Sequence, residues 1–335
     1  MLTLSVLDQS PVVGGASPAV AMKQTIELAK QTEKWGYHRF WVSEHHFSDR
    51  LAGSSPEVLV SYLAAVTTHM RIGSGGVMLP HYSAYKVAEN FRVLEALAPG
   101  RIDLGIGRAP GGMPISSIAL HNGERKRLGD RYPDQVEELK VFLHDLADES
   151  YPYPNLTASP KVETAPEVWM LGSSGESARL AAKAGAGYTF ALFINGEGGE
   201  DPIEQYLNRF EPSVLAQKPR ISLAVFVLCA ESEEKAEELA MSLDLSILAN
   251  EQGIKLKEFP SLELAKAYSY SPYEQKRVLE NRKRMVVGTK ETVKQQLLTL
   301  AKAYHTDEVI AVTITHRLED RFTSYRLLKE AFNEE

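Results

Sequence analysis

Three apolar stretches of this chain end in residues able to do chemistry. Residues 36–47 (GYHRFWVSEHHF) run as a strand into Glu44, His45 and His46. Neighbouring strand residues point to opposite faces, so the two imidazoles cannot share one packed core. At least one of them looks into a cavity or into solvent, where an imidazole serves as acid, base or ligand contact. Glu44 either orients a histidine or acts itself. Adjacent histidines rarely chelate one ion, and no third ligand stands at the spacing of zinc motifs, so no metal site is expected. A second stretch, residues 71–80 (RIGSGGVMLP), carries Gly75 and Gly76 in mid-strand. Two explanations stand: a bulge or tight bend, or close approach of a flat ligand to backbone that has no Cβ. On the second, valine at Gly76 would block the ligand and leave the strand intact; on the first, it would lower stability and spare binding. A third stretch, residues 101–108, ends in Arg108, flanked by Gly107, Gly111 and Gly112. A guanidinium in such a loop suits a phosphate, although a solvated surface charge explains it equally. Further on, Gly172, Ser173, Ser174 and Gly175 separate a strand from a helix, placing hydroxyls and free N–H groups at a helix N-terminus that favours an anion. Arg108 with Ser173 and Ser174 therefore forms a candidate phosphate site.

Strand and helix signals alternate along the chain to position these groups. Strands are expected at 3–7, 39–42, 71–78, 101–106, 167–171, 188–192, 221–228 and 308–314. Helices are expected between them, among them one over 202–215 and one behind Thr289. Residues 109–131 read as a glycine-rich loop and irregular segment. Residues 250–287 break the alternation with mixed charge and read as an insertion near the end of the fold. Eight strands alternating with helices predict a (β/α)8 TIM barrel with insertions, occupying 1–335 as one domain. A doubly wound sheet would carry a G-x-G-x-x-G turn after the first strand, and residues 8–15 do not supply one. In a barrel, all these strand ends share the C-terminal mouth. Trp41, Phe47, Met78, Phe190 and Phe193 are expected to make that mouth apolar.

Composition narrows the function further. The formal net charge is −7 over 335 residues, and the sequence lacks the basic face that nucleic-acid binding needs. No apolar run approaches the ~20 residues of a membrane helix, and residues 1–7 read as a first strand rather than a signal peptide. A single cysteine, Cys229, precludes an internal disulfide and suits a reducing cytoplasm. It reads as a small buried core residue.

Taken together, WVSEHHF (41–47), IGSGGVMLP (72–80), APGRIDLGIGRAPGG (98–112) and VWMLGSS (168–174) resemble the bacterial luciferase-like flavin monooxygenases. The resemblance extends over essentially the whole chain and is strongest over 1–112 and 166–192. It implies FMN as cofactor, reduced by a separate flavin reductase, and O2 reacting at C4a. The resulting C4a-peroxyflavin would oxygenate a small organic substrate. It further implies that His45, preceded by Glu44, acts near the flavin and that Gly75–Gly76 forms a non-prolyl cis peptide against the ring. Arg108 would grip the phosphate with the turn of Gly172, Ser173 and Ser174. A homo-oligomer, most simply a dimer, is expected. Gly107 stands where the luciferase α subunit has a reactive cysteine, Ala84 replaces a common proline, and 250–287 does not match the luciferase lid. Two alternatives are a deazaflavin (F420)-dependent dehydrogenase on the same fold and a flavin-binding protein without turnover.

Overall fold

The computed structural model describes residues 2–123, 130–256 and 258–333. Nine strands alternate with helices: β1 (Thr3–Asp8), β2 (Arg39–Val42), β3 (Arg71–Met78), β4 (Ile102–Gly107), β5 (Glu167–Gly172), β6 (Gly187–Ala191), β7 (Ile221–Cys229), β8 (Met285–Gly288) and β9 (Glu308–Val312). The helices are α1 (Pro18–Trp35), α2 (Pro56–Val66), α3 (Ala84–Leu97), α4 (Pro114–Leu120), α5 (Tyr132–Leu143), α6 (Gly175–Ala184), α7 (Glu200–Arg209), α8 (Glu233–Glu251), α9 (Leu262–Ala267), α10 (Pro272–Asn281), α11 (Lys290–Ala303) and α12 (Leu318–Asn333). Local chemistry sets many of these limits. Ser17 accepts the Val20 N–H ahead of α1, Pro18 occupies its first turn, and Gly36 closes it at φ +83°.

All pairings among the named strands are parallel, and they close in the order β1-β2-β3-β4-β5-β6-β7-β9-β1. This is the (β/α)8 barrel the alternation predicts. The ninth strand, β8, lies outside that ring. Residues 221–224 of β7 pair with β6, and Phe226–Cys229 then pair with β8. Reading 250–287 as an insertion overlooked it, because Met285-Val286-Val287-Gly288 is only four residues long, directly after the basic run Arg282-Lys283-Arg284. Two other expectations need correction. The helix expected over 202–215 stops at Arg209, where Phe210 turns extended two residues before Pro212. The segment 109–131 contains α4, and its residues 124–129 lie outside the described residues.

The main core lies between the strands and the helix layer and includes Phe40, Ile72, Phe91, Leu104 and Phe190. A second cluster, with Leu7, Trp41, Trp169, Ala224 and Ile310, fills the barrel interior. Below it an ionic layer forms the floor. The Arg39 guanidinium, 3% exposed, lies 2.7 Å from Asp103 and 2.6 Å from Glu308. Trp41 donates its indole N–H to Asp103 at 2.8 Å, and Arg39 stacks on Trp169 at 4.8 Å from the ring centroid. Buried charges survive only when paired this closely. This floor separates the interior from a second, polar cavity beneath it, lined by Arg39, Glu167, Arg220 and Glu308. Cys229 is free and fully buried at the end of β7. Among the described residues, no helix is long and apolar enough to cross a membrane.

Candidate active site

A cavity of about 480 Å³ opens at the C-terminal ends of the strands, within the size range of small-molecule sites. Glu44, His45, Gly75, Gly76, Arg108, Gly172, Ser173 and Ser174 all line it. Every site residue expected from the sequence therefore meets in one place, although 130 positions separate Glu44 from Ser174.

His45 follows β2. Its backbone N–H donates to Gly53 at 2.8 Å, and its Nδ1 lies 3.0 Å from the Ser43 hydroxyl. No described residue pairs with Nε2, so that nitrogen is left for a ligand. Burial, helped by the neighbouring His46, pushes the His45 pKa down to about 4. The ring is accordingly neutral at physiological pH. Glu44 is differently placed. One carboxylate oxygen sits 2.7 Å from His46 Nε2 and accepts the Tyr82 hydroxyl at 2.7 Å. The other accepts the Met78 backbone N–H at 3.0 Å. Glu44 does not orient His45; it ties the end of β3 to the loop after β2. Burial, and then the bond to Glu44, raises the Tyr82 pKa, so this phenol stays protonated.

The Gly75–Gly76 peptide is cis, and the pairing of β3 with β4 shifts register between Gly75 and Val77. A Cβ on Gly75 would stand 2.7 Å from Leu7 Cδ1 and 3.1 Å from Trp41 Cβ. A Cβ on Gly76 would stand 2.6 Å from the Gly105 carbonyl oxygen of β4. The geometry supports the first explanation from the sequence, a tight bend, at Gly76. Backbone there lines the cavity, and the neighbouring strand also leaves no space. The expectation that valine would leave the strand intact is corrected on this point, because a backbone carbonyl cannot move aside as a side chain can.

The candidate anion corner lies at the ends of β4 and β5. Arg108 is half-exposed and ion-paired with Asp130, whose other oxygen accepts the Tyr132 N–H at 3.2 Å as α5 begins. Opposite, Ser174 precedes the first turn of α6. The Ser177 hydroxyl donates to the Ser174 carbonyl at 2.7 Å and lies 3.0 Å from the Tyr188 hydroxyl. Gly172 is needed here, since a Cβ would overlap the Ser177 side chain.

Several lining residues were not singled out from the sequence: Gln9, Tyr132, Ser177 and Thr189. Strand alternation could have shown Thr189, because Thr189 and Ala191 of β6 face the cavity while Phe190 between them packs outward on Tyr304. That alternation also corrects the expected mouth. Trp41, Met78 and Phe193 line it, whereas Phe190 belongs to the outer core and Phe47 is 73% exposed. Among the described residues, no group of three His, Cys, Asp or Glu side chains is placed to hold a metal ion.

Fold and site together define a barrel whose mouth joins an arginine and serine corner, a bare-backbone wall and a buried histidine. The sequence pattern of the luciferase-like monooxygenases matches residues 2–307, and the chain belongs to that family. The N-acetyl-S-alkylcysteine monooxygenase of Bacillus subtilis (strain 168) is 40% identical over 332 residues, 99% of this chain and 98% of its own. The crystal structure of apo-MsnO8 superposes with a TM-score of 0.89 at 37% identity, covering 99% of this chain and 98% of that one. The oxygenating constituent of 3,6-diketocamphane monooxygenase from Pseudomonas putida, solved in complex with FMN, shares the fold. Its TM-score is 0.69 at 18% identity, over 99% of this chain and 98% of that one. With its family, the chain is an oxidoreductase, a luciferase-like monooxygenase.

Proposed function

We propose that this enzyme binds reduced FMN at the barrel mouth and uses O2 to oxygenate a small organic molecule. One observation carries the reading: the anion corner and the bare backbone of Gly75–Gly76 lie on the same cavity. A flat tricyclic ring bearing a phosphorylated chain requires both features. Arg108, the Ser173 and Ser174 hydroxyls and the first N–H groups of α6 would hold the phosphate. The ring would lie against Gly75 and Gly76, with Trp41, Met78, Leu171 and Phe193 excluding water.

Bound there, reduced FMN would supply the two electrons with which O2 gives one oxygen atom to the substrate and the other to water. His45 offers Nε2 as the proton-handling atom, held by Ser43 and kept neutral by burial. Glu44 is a positioning residue, because both of its oxygens are engaged within the protein. A separate reductase returns the flavin to its reduced form, in keeping with the missing dinucleotide-binding turn after β1.

Fluorescence titration of the protein with FMN, riboflavin and F420 tests the cofactor. FMN should bind more tightly than riboflavin, by the contribution of the phosphate contacts. Preference for F420, or equal affinity for FMN and riboflavin, would contradict the reading.

A further inference from the structure

We infer that the half of the cavity away from the anion corner receives an uncharged organic molecule whose hydrogen-bonding group is read by the Gln9 amide. The inference rests on FMN taking the Arg108 end, as proposed above. Barrel order supplies the geometry. Arg108, Ser173 and Ser174 follow the neighbouring strands β4 and β5, whereas β1, β9 and β7 close the ring on the other side. Leu7, Ala224 and Ile310 of those three strands, with Phe193, make that wall apolar. Its polar groups are few and mostly engaged. The Ser43 hydroxyl meets His45, and the Thr189 hydroxyl meets Ser222 at 2.8 Å. Gln9 lines the same cavity, and among the described residues its side-chain amide has no hydrogen-bond partner.

Charge decides the substrate class. Among the described residues that line the cavity, the arginine is Arg108, which stands at the far end beside Asp130. Among the same residues His45 is the remaining basic group, and burial opposes its protonation. A carboxylate seated against Leu7, Ala224 and Ile310 would shed its hydration and gain no cation. An amide, ester or ketone would meet Gln9, whose side chain both donates and accepts. A site built to hydrogen-bond one group discriminates strongly against a ligand that leaves that group unpaired.

A matched pair of probes tests this: N-acetyl-S-methylcysteine as the free acid and as its primary amide. Each is titrated by calorimetry into protein saturated with oxidised FMN. The amide should bind at least ~10-fold more tightly, and Gln9→Leu should weaken it by roughly 5–10-fold, the effect of one lost hydrogen bond. Gln9→Lys, which adds the missing cation, should reverse the preference toward the acid. FMN affinity and melting temperature should match wild type in both variants. The acid binding as well as the amide, Gln9→Leu binding the amide like wild type, or neither probe binding would each overturn the inference while FMN binding stands. Failure of wild-type protein to bind FMN would instead remove the cofactor reading beneath it.

Discussion

An imidazole whose pKa burial has lowered to about 4 is a base kept neutral across the physiological range. His45→Ala should bind FMN within a few-fold of wild type yet lose roughly 10²–10⁴ in turnover, the usual contribution of a positioned acid or base. Wild-type activity in that variant would remove His45 from the chemistry. The same shift bears on stability. Unfolding restores the ordinary value of 6.5, so the unfolded chain binds a proton that folded His45 refuses. Stability should fall as pH drops from about 6.5 toward about 4, and melting curves of His45→Gln should show a shallower acid limb. Arg108 and Asp130 make a second pair of expectations. Arg108→Ala should weaken FMN binding by about 1.5–3 kcal/mol, as for a charged hydrogen bond. Riboflavin affinity should be unchanged; equal loss for both ligands would show that Arg108 does not hold the phosphate. Asp130→Asn should tighten FMN, most at low salt, because the phosphate no longer competes with a carboxylate for the guanidinium. His45, Arg108 and Ser173 could be read from the sequence because each ends a strand, and a barrel sends every strand end to one mouth. Gln9, directly after β1, obeys the same rule and is legible in the same way. Tyr132 could not be read, since its place depends on how the chain enters α5, and no local signal records that.

Among the elements, β3 bears the clearest consequence of the structure. Because a Cβ at Gly76 would stand 2.6 Å from the Gly105 carbonyl oxygen, Gly76→Val should lower the melting temperature as well as abolish FMN binding. Unchanged melting with lost binding would mean that the strands part easily and that the glycine serves the ligand alone. The strands of the ring were legible because parallel strands buried on both faces read as continuous apolar runs. β8 was not, since it joins only the upper half of β7 and never enters the ring. The misplacement of Phe190 has a similar origin. Residue type indicates that a side chain is apolar, but alternation within β6 decides which side it faces; Phe47 lies in the loop after β2, where no alternation applies.

For the molecule as a whole, the ionic floor and the open mouth do separate work. Arg39 compensates Asp103 and Glu308 in the interior. Arg39→Met should therefore cost about 3–5 kcal/mol in denaturant unfolding, chiefly the penalty of leaving Glu308 without its cation, since Asp103 keeps Arg71 at 2.6 Å. Protein that remains folded should bind FMN as wild type does, because the floor lies below the apolar cluster and outside the mouth cavity. A large loss of flavin affinity in folded Arg39→Met would mean that the two ends of the barrel are coupled. The central claim is that this mouth holds reduced FMN while it reacts with oxygen, and stopped-flow spectroscopy tests it most directly. Protein loaded with reduced FMN and mixed with oxygenated buffer should pass through a resolved species that is neither reduced nor oxidised flavin. Its decay should change when an oxygenated product forms. Direct, single-phase conversion of reduced to oxidised FMN at the rate of free flavin would contradict the account.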